Sequence, residues 1–308
     1  MEPDSTSRRA TNCGIWWRVA RPHTLTAAVM PVLIGTSAAW TVGKPDWTLF
    51  AAMAAASILI QSAVNMFNEY YDYKRGLDSR DSVGIGGVIV NREVHESAVL
   101  RMAAVLVIVS IFLGAFICQE TSWWLALVGT ASIVVGYLYS AGRNPIAYTR
   151  FGEAAAGLFM GPVIVLISFY IQRGTITLPS ILISVPISIL VAAILLANNI
   201  RDEERDRQKG RTTLAVLWRH DKAVKSLDRF FMSAYIWTIG LVILKIATPW
   251  TLLVFASVPK ARKSLGLFQA GRNPGEMMPA MKATSELHTQ FGILMSLGLI
   301  LGRFLPIG

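Results

Sequence analysis

The sequence predicts an all-α fold, a polytopic membrane bundle of about nine transmembrane helices around a central cavity. Of its 308 residues, 53% are hydrophobic and only 16% are charged, whereas soluble domains usually carry about 25% charged residues. Several stretches of roughly 20 residues contain no charged residue, which is the length that crosses the roughly 30 Å hydrocarbon core of a bilayer. We therefore predict an integral membrane protein.

The apolar stretches define nine helices, with boundaries that we expect to be accurate to a few residues. The predicted helices cover residues 24–42, 48–72, 98–118, 122–141, 153–172, 175–200, 230–245, 246–258 and 285–305. The loops on one side of the membrane are short, and those at 73–97, 201–229 and 259–284 on the other side are long. No Gly/Ser linker or change in composition divides the chain, so we predict a single domain over residues 1–308, with a polar tail at 1–21.

Lys and Arg residues predict the orientation of the bundle, because short loops rich in them remain in the cytoplasm. Only Lys44, Arg173, Lys245 and Arg303, of the 29 Lys and Arg residues, fall on the opposite side. We expect the N-terminus and the long loops in the cytoplasm of a bacterial cell, and the C-terminus outside. The net charge of +10 does not predict a nucleic-acid partner, because the basic residues are spread between apolar runs. No cleaved signal peptide is expected.

Two clusters of Asn and Asp residues stand where the second and sixth predicted helices end on the cytoplasmic side. Asn68 and Asp72 form the first cluster, and Asn198, Asp202 and Asp206 form the second. A spacing of four residues puts each cluster on one helical face, where neighbouring carboxylates repel each other. Oxygen ligands without His or Cys beside them suit Mg²⁺, which binds through one or two carboxylates together with substrate phosphates.

Basic residues are interleaved with these acids, namely Lys74, Arg75, Arg201, Lys209 and Arg211. They oppose a plain cation channel, but they suit a site that holds a metal ion and a diphosphate together. An apolar bundle behind such a site indicates a substrate with an anionic head and a lipid tail. The alternative is that these charges only fix the topology of the neighbouring helices.

The motifs resemble the UbiA superfamily of intramembrane prenyltransferases. The two acidic motifs read NEYYDYKRGLD at 68–78 and NNIRDEERD at 198–206. Further segments resemble the menaquinone-pathway branch, which prenylates 1,4-dihydroxy-2-naphthoate: RPHTLT at 21–26, DSVGIGGVIV at 81–90, YLYSAG at 137–142, PIAYTRFGE at 145–153 and GRTTLA at 210–215. The resemblance extends from about residue 21 to residue 305.

This resemblance implies ionisation of a polyprenyl diphosphate with Mg²⁺, followed by attack of an electron-rich aromatic acid whose carboxylate leaves as CO₂. The implied magnesium ligands are Asn68, Asp72, Asp78, Asn198, Asp202 and Asp206. The implied diphosphate contacts are Arg21, Lys74, Arg75, Tyr139, Arg143, Arg201, Lys209 and Arg211. We expect Asp72, Asp202, Asp206 and Arg143 to be catalytic.

The sequence departs from the family pattern at two positions. Gly76 stands where the family's first motif has Asp, so we expect Asp78 to take the place of that Asp. Arg143 stands where the family has Lys after Tyr139, and a guanidinium can bind phosphate through two hydrogen bonds.

Three further predictions concern loops and alternatives. Gly84, Gly86 and Gly87 predict a flexible cap over the cavity rather than a phosphate-binding loop, because no strand precedes them. Glu153 opens the fifth predicted helix, where an acid suits the helix dipole. The alternatives to the naphthoate activity are prenylation of another aromatic acceptor, such as 4-hydroxybenzoate or a homogentisate-like ring, and transport of a cation or an organic anion. The oligomeric state is left open.

Overall fold

The computed structural model describes residues 12–77 and 87–306, and within these ranges the chain contains helices and no strands. Eleven α-helices follow one another there: α1 (Asn12–Ala20), α2 (Pro22–Val42), α3 (Trp47–Lys74), α4 (Glu96–Glu120), α5 (Leu125–Ser140), α6 (Gly152–Leu158), α7 (Ile164–Arg173), α8 (Leu178–Gln208), α9 (Leu214–Ile243), α10 (Val258–Ala270) and α11 (Pro274–Phe304). Short 3₁₀ segments cover Ile146–Tyr148 and Pro249–Ser257, and a π-helical turn, Phe159–Val163, joins α6 to α7.

The predicted all-α membrane architecture is confirmed, and the count of nine crossings is approximate. Seven spans among the described residues are long and apolar enough to cross a membrane. Helix α5 has 16 residues, or about 24 Å, and the eighth predicted helix is instead the 3₁₀ segment that continues into α10. Exposed apolar side chains such as Ile108, Phe112 and Ile236 indicate surfaces that face lipid. The protein therefore crosses the membrane several times.

The long loops predicted at 201–229 and 259–284 are largely helical, so these two predictions were wrong. Helix α8 continues unbroken to Gln208, and α9 begins at Leu214 with the Thr213 side chain accepting from the Val216 amide. Helix α9 has one break, at Arg219, where φ is 65°. The prediction from hydropathy limited these helices to their uncharged residues, whereas the helices in the structure extend beyond the apolar span.

The four basic residues predicted on the opposite side lie at or near one end of the bundle, away from the acidic motifs. Arg173 donates Nη2 to the Lys44 carbonyl oxygen at 2.6 Å, and Arg303 donates Nη1 to the Thr41 carbonyl oxygen at 2.9 Å. The acidic motifs lie at the other ends of α3 and α8. The end of the bundle that carries the acidic motifs is thus opposite to the end that carries these basic residues, as the charge pattern predicts.

Small residues allow the helices on one side of the bundle to pack closely. A Cβ atom built on Gly161, in the π-helical turn, would lie 2.6 Å from the Ser188 Cα atom of α8. Helix α2 packs against α7 and α11, while α3 packs mainly against α4. The space between these two groups of helices contains the cavity described next.

Candidate active site

A cavity of about 630 Å³ lies inside the bundle, and its wall changes from polar to apolar along its length. Asp72 and Met53 of α3 both line it, and the 19 residues between their positions correspond to about 28 Å of helix. Acidic and amide side chains of α3 and α8 line the polar end, namely Asn68, Asp72, Asn198 and Asp202. Aliphatic side chains of α3, α4, α5, α7 and α8 form most of the remaining wall.

Arg211 joins the two acidic motifs. Its Nη2 donates to Asp72 Oδ1 and its Nη1 donates to Asp206 Oδ1, both at 3.1 Å. The short turn between α8 and α9 places Arg211, and the Arg211 amide donates to the Asp206 carbonyl oxygen at 2.9 Å. Side chains more than 130 residues apart in the chain, Asp72 and Asp206, therefore meet around one guanidinium group.

Tyr148 supports this junction from the loop between α5 and α6. Its hydroxyl donates to Asp72 Oδ1, and its ring lies 4.0 Å from the Arg211 guanidinium carbon. On the other side, Arg75 Nη1 donates to the Tyr148 hydroxyl oxygen at 3.0 Å. Burial raises the pKa of the Tyr148 hydroxyl, and the negative charge of Asp72 raises it further. The hydroxyl therefore stays protonated and continues to donate to Asp72.

Asp202 is held by arginines of its own helix. Arg201 donates Nη2 to Asp202 Oδ2 at 2.5 Å and Nε to Asp202 Oδ1 at 2.9 Å. Arg205 Nη2 lies 3.4 Å from Asp202 Oδ2. All three side chains line the polar end of the cavity, so this end contains carboxylates and several guanidinium groups at close range.

Arg21 extends the basic lining from the start of α2. Its Nη1 donates to Asn68 Oδ1 at 3.1 Å, and its Nη2 contacts the buried Glu69 Oε2 at 3.4 Å. The other Glu69 oxygen accepts from the Gly87 amide at 2.6 Å. Gly87, with φ of 94°, also lines the cavity. Gly84 and Gly86, which were predicted to form a cap, lie outside the described residues.

Residues 28–265 match the UbiA prenyltransferase family. The chain belongs to this family. It is 50% identical over 290 residues, covering 94% of this chain and 93% of the relative, to 1,4-dihydroxy-2-naphthoate octaprenyltransferase of Bacillus subtilis strain 168. It is 31% identical over 272 residues, covering 87% of this chain and 91% of the relative, to the protein of the same name from Mycobacterium tuberculosis. The family predicted from the motifs is confirmed.

Solved structures of this family share the fold. An apo UbiA homologue from Aeropyrum pernix K1 matches with a TM-score of 0.68 at 16% identity, covering 90% of this chain and 97% of that one. A UbiA homologue from Archaeoglobus fulgidus, bound to DMAPP and Mg²⁺, matches with a TM-score of 0.63 at 15% identity, covering 92% and 99%. The bundle described above is thus the UbiA fold.

Several predicted site residues of this prenyltransferase lie on the cavity wall: Arg21, Asn68, Asp72, Tyr139, Asn198, Arg201, Asp202 and Arg211. Asp206 is buried directly behind the wall and bonded to Arg211. Asp78 lies outside the described residues. Their roles remain predictions, and the geometry concentrates them at one end of one cavity.

Four predicted diphosphate contacts lie away from the wall. Arg143 is exposed in the loop after α5, and the exposed Lys74 pairs with Glu96 at 2.5 Å. Lys209 is also exposed and donates to the Gly76 carbonyl oxygen at 3.1 Å. Arg75 donates to the carbonyl oxygens of Ser140 and Gly142 as well as to Tyr148. These four side chains hold loops or face solvent, and their contact with the diphosphate stays a prediction.

Two residues to which the sequence gave no role in the site, Arg205 and Asn199, belong to it, and Tyr148, one of several tyrosines expected near the cavity, has a contact that the sequence did not predict. Arg205 lines the cavity one helical turn after Arg201, a spacing that would have identified it. Asn199 lines the wall beside Asn198, although neighbouring residues on a helix usually face different directions. Tyr148 bonds to a residue 76 positions away, and no local pattern reveals such a contact.

The residues at the polar end fit a magnesium ion only together with substrate oxygens. Within residues 12–77 and 87–306, no group of three His, Cys, Asp or Glu side chains could hold a metal ion. Asp72 and Asp202 are paired with arginines, while Asp206 Oδ2 is buried without a hydrogen-bond partner. Oxygen ligands from one or two carboxylates are what Mg²⁺ uses when phosphates complete its coordination. The donor set therefore fits a magnesium diphosphate better than a free ion.

Proposed function

We propose that the protein transfers a polyprenyl group from polyprenyl diphosphate to 1,4-dihydroxy-2-naphthoate, with loss of CO₂, to give demethylmenaquinol for menaquinone synthesis. One observation carries the proposal: two acidic motifs meet at the polar end of a cavity that is otherwise long and apolar. The 50% identical relative from Bacillus subtilis, named 1,4-dihydroxy-2-naphthoate octaprenyltransferase, supports this choice of substrates.

The two ends of the cavity bind different parts of the polyprenyl diphosphate. The apolar wall accommodates the prenyl tail, and Arg201, Arg205 and Arg211 face the diphosphate. Asp72 and Asp202, with Asn68 and Asn198, would hold Mg²⁺. When bound, Mg²⁺ supplies positive charge that stabilises the departing diphosphate. The arginines add donors where negative charge grows, which lowers the barrier to ionisation.

The transfer needs no separate proton-abstracting group. The bond between the allylic carbon and the diphosphate oxygen breaks, and the electron pair leaves with pyrophosphate. The ring carbon that bears the carboxylate then forms a new bond to the allylic carbon. Cleavage of the carbon–carboxylate bond returns its electron pair to the ring and releases CO₂. Atoms and charges balance, because CO₂ leaves this ring carbon in place of the proton that an unsubstituted ring carbon would lose.

The assay that tests this proposal compares acceptors. Purified protein receives Mg²⁺, a labelled polyprenyl diphosphate and either 1,4-dihydroxy-2-naphthoate labelled at its carboxylate or 4-hydroxybenzoate. We expect labelled CO₂ and prenylated product to appear in equal amounts with the naphthoate. A prenylated product that retains the carboxylate label, or faster prenylation of 4-hydroxybenzoate, would replace this proposal with the alternative of another aromatic acceptor.

Transport of a cation or an organic anion is the alternative from a different class. Transporters place their sites near the bilayer midplane on interrupted helices. Here the acids lie at the ends of the unbroken helices α3 and α8, and this position supports chemistry at the membrane surface. We further propose that the protein lies in the bacterial plasma membrane, with the acidic end and the N-terminus in the cytoplasm.

A further inference from the structure

A carboxyl group that the proposed mechanism does not use is buried beside the cavity. Glu153 lies in the first turn of α6 and is 1% exposed. Its Oε1 accepts a hydrogen bond from Asn199 Nδ2 at 2.8 Å, while its Oε2 is buried without a hydrogen-bond partner. The sequence predicts a helix-capping role for Glu153, and Glu153 lies in the first turn of α6 while its side chain also reaches across to α8. Buried ionisable groups in membrane proteins are costly and usually functional.

The contact with Glu153 fixes the direction in which the Asn199 amide points. Asn199 turns its NH₂ group towards Glu153, because the Glu153 oxygen accepts the hydrogen bond. Its carbonyl oxygen, Oδ1, then remains for another donor. Asn199 lines the cavity next to Asn198, and Ala155 and Ala156 of α6 line it beside Asn199.

A second polar group at this place has no partner. Tyr139 lines the cavity, and its hydroxyl is buried without a hydrogen bond. Tyr139 precedes Ser140, whose carbonyl oxygen accepts a hydrogen bond from Arg75, and Arg75 also donates to Tyr148 beside Asp72. Tyr139 therefore lies at the same end of the cavity as Asp72 and Asn198. Buried polar groups are nearly always hydrogen-bonded. Two incompletely bonded side chains at the border of the polar and apolar walls thus indicate a missing polar ligand.

We propose that Asn199 and Tyr139 form the subsite for a hydroxyl group of the aromatic acceptor, in place of the diphosphate contact that the family motif implies for Tyr139, and that Glu153 is the positioning residue that orients Asn199. This inference rests on the proposed function. The acceptor hydroxyl donates to Asn199 Oδ1, which leaves more electron density on the ring that attacks the allylic carbon. Glu153 acts through Asn199 and does not touch the substrate. The subsite selects aromatic acids that carry a ring hydroxyl.

The Glu153→Gln variant tests this inference, because glutamine keeps the size of the side chain but no longer dictates the Asn199 orientation. We expect KM for 1,4-dihydroxy-2-naphthoate to rise at least tenfold and KM for polyprenyl diphosphate to stay within twofold. Inhibition by 2-naphthoate, which lacks both hydroxyls, should not change. A subsite that hydrogen-bonds a hydroxyl discriminates strongly against analogues without it.

A reversed pair provides the rescue experiment. In Glu153→Gln with Asn199→Asp, the glutamine NH₂ group donates to the new carboxylate, and the second carboxylate oxygen accepts from the substrate. KM for the naphthoate should return to within threefold of wild type. Ser188→Ala is the matched control, because Ser188 also ties α8 to α6, through its bond to the Gly157 carbonyl oxygen at 2.9 Å, away from the subsite. This control should leave both KM values unchanged.

Several outcomes would overturn the inference. One is an unchanged KM for the naphthoate in Glu153→Gln. Another is a rise in this KM together with a loss of inhibition by 2-naphthoate, because that combination indicates a general distortion of the site. If Glu153→Gln does not fold, Asn199→Ala is measured in the same way; loss of folding in both would show a purely structural contact. Failure of wild-type protein to prenylate the naphthoate would refute the proposed function, whereas turnover with unaltered hydroxyl selectivity in the variants would refute only this inference.

Discussion

At the scale of single residues, Arg211 occupies the most informative position in the structure. It neutralises one carboxylate from each acidic motif while its own side chain is only 12% exposed. Removal of one partner from such a buried pair leaves an uncompensated charge. Because Arg211 also lines the cavity, we expect the same guanidinium to stabilise the bound diphosphate.

Arg211→Gln is therefore expected to lower kcat/KM for polyprenyl diphosphate by about 100-fold, which is the typical effect of losing one donor to a developing anion. Steady-state prenyl transfer in detergent measures this loss. Lys209→Gln is the comparison, because Lys209 is two residues away but exposed and directed at Gly76. Equal losses in both variants would contradict the separate placement of the two side chains.

Tyr148 supports the junction through its hydroxyl and its ring, and the two contributions can be separated. Tyr148→Phe removes the hydrogen bond to Asp72 but keeps the ring beside Arg211. We expect about a tenfold loss of kcat/KM, equivalent to about 1.4 kcal/mol. The pKa of a tyrosine hydroxyl is ordinarily near 10, and because the pKa of Tyr148 is raised, its hydroxyl stays neutral to a higher pH. The ratio of wild-type to variant kcat/KM should consequently be constant from about pH 6 to pH 9, and a decline of this ratio towards one at about pH 9 would contradict the assignment.

At the scale of helices, close contacts between small residues hold the two sides of the bundle in register. Gly161 leaves no room for a side chain against Ser188, and the neighbouring Pro162 lies within the π-helical turn. This packing fixes α6 against α8 and so places Glu153 beside Asn199. Backbone packing away from the charged end thus contributes to the geometry of the site.

Gly161→Ala should destabilise the protein by about 1–3 kcal/mol, the usual cost of overfilling a tight contact. Thermal unfolding of the detergent-solubilised protein provides the measurement. Gly240→Ala in α9 is the control, since a Cβ atom there meets no other atom within 4 Å and alanine favours helix formation. A Gly161→Ala protein as stable as the control would show that α6 and α8 can separate without cost.

At the scale of the whole molecule, the sequence predicted the fold class and the helix ends that carry the acids, while the single domain stays a prediction. These predictions rest on local patterns, which a single sequence contains. The patterns are apolar runs of helix length and a spacing of four residues within the pairs Asn68–Asp72 and Asn198–Asp202. The helical structure of residues 214–229 and 259–270 was missed, because hydropathy measures lipid contact rather than backbone structure.

The contacts that the sequence could not reveal are those between distant parts of the chain. Tyr148 with Asp72 and Glu153 with Asn199 depend on how loops and helices meet in space. Arg143 is the opposite case: its family motif predicts a site residue, whereas the structure places it in an exposed loop, and its role stays a prediction. Side-chain direction after a helix ends is set by tertiary packing, which spacing along the chain does not encode.

The proposed orientation in the membrane predicts which side chains can be labelled from each side. In a background with Cys13 and Cys118 replaced by serine, Lys209→Cys should react with an impermeant maleimide only in inside-out vesicles. Lys44→Cys, at the other end of the bundle, should react only in right-side-out vesicles. The opposite pattern would invert the proposed orientation, because Lys and Arg residues then would not mark the cytoplasmic side.

The central claim is that two acidic motifs act on a single magnesium diphosphate. Electron paramagnetic resonance of Mn²⁺, a spectroscopic substitute for Mg²⁺, tests it most directly in the presence of an unreactive polyprenyl diphosphate analogue. The wild-type protein should bind Mn²⁺ only with the analogue, and Asp72→Asn and Asp202→Asn should each abolish this binding while thermal unfolding remains cooperative. Full retention of bound Mn²⁺ in either variant would contradict the account.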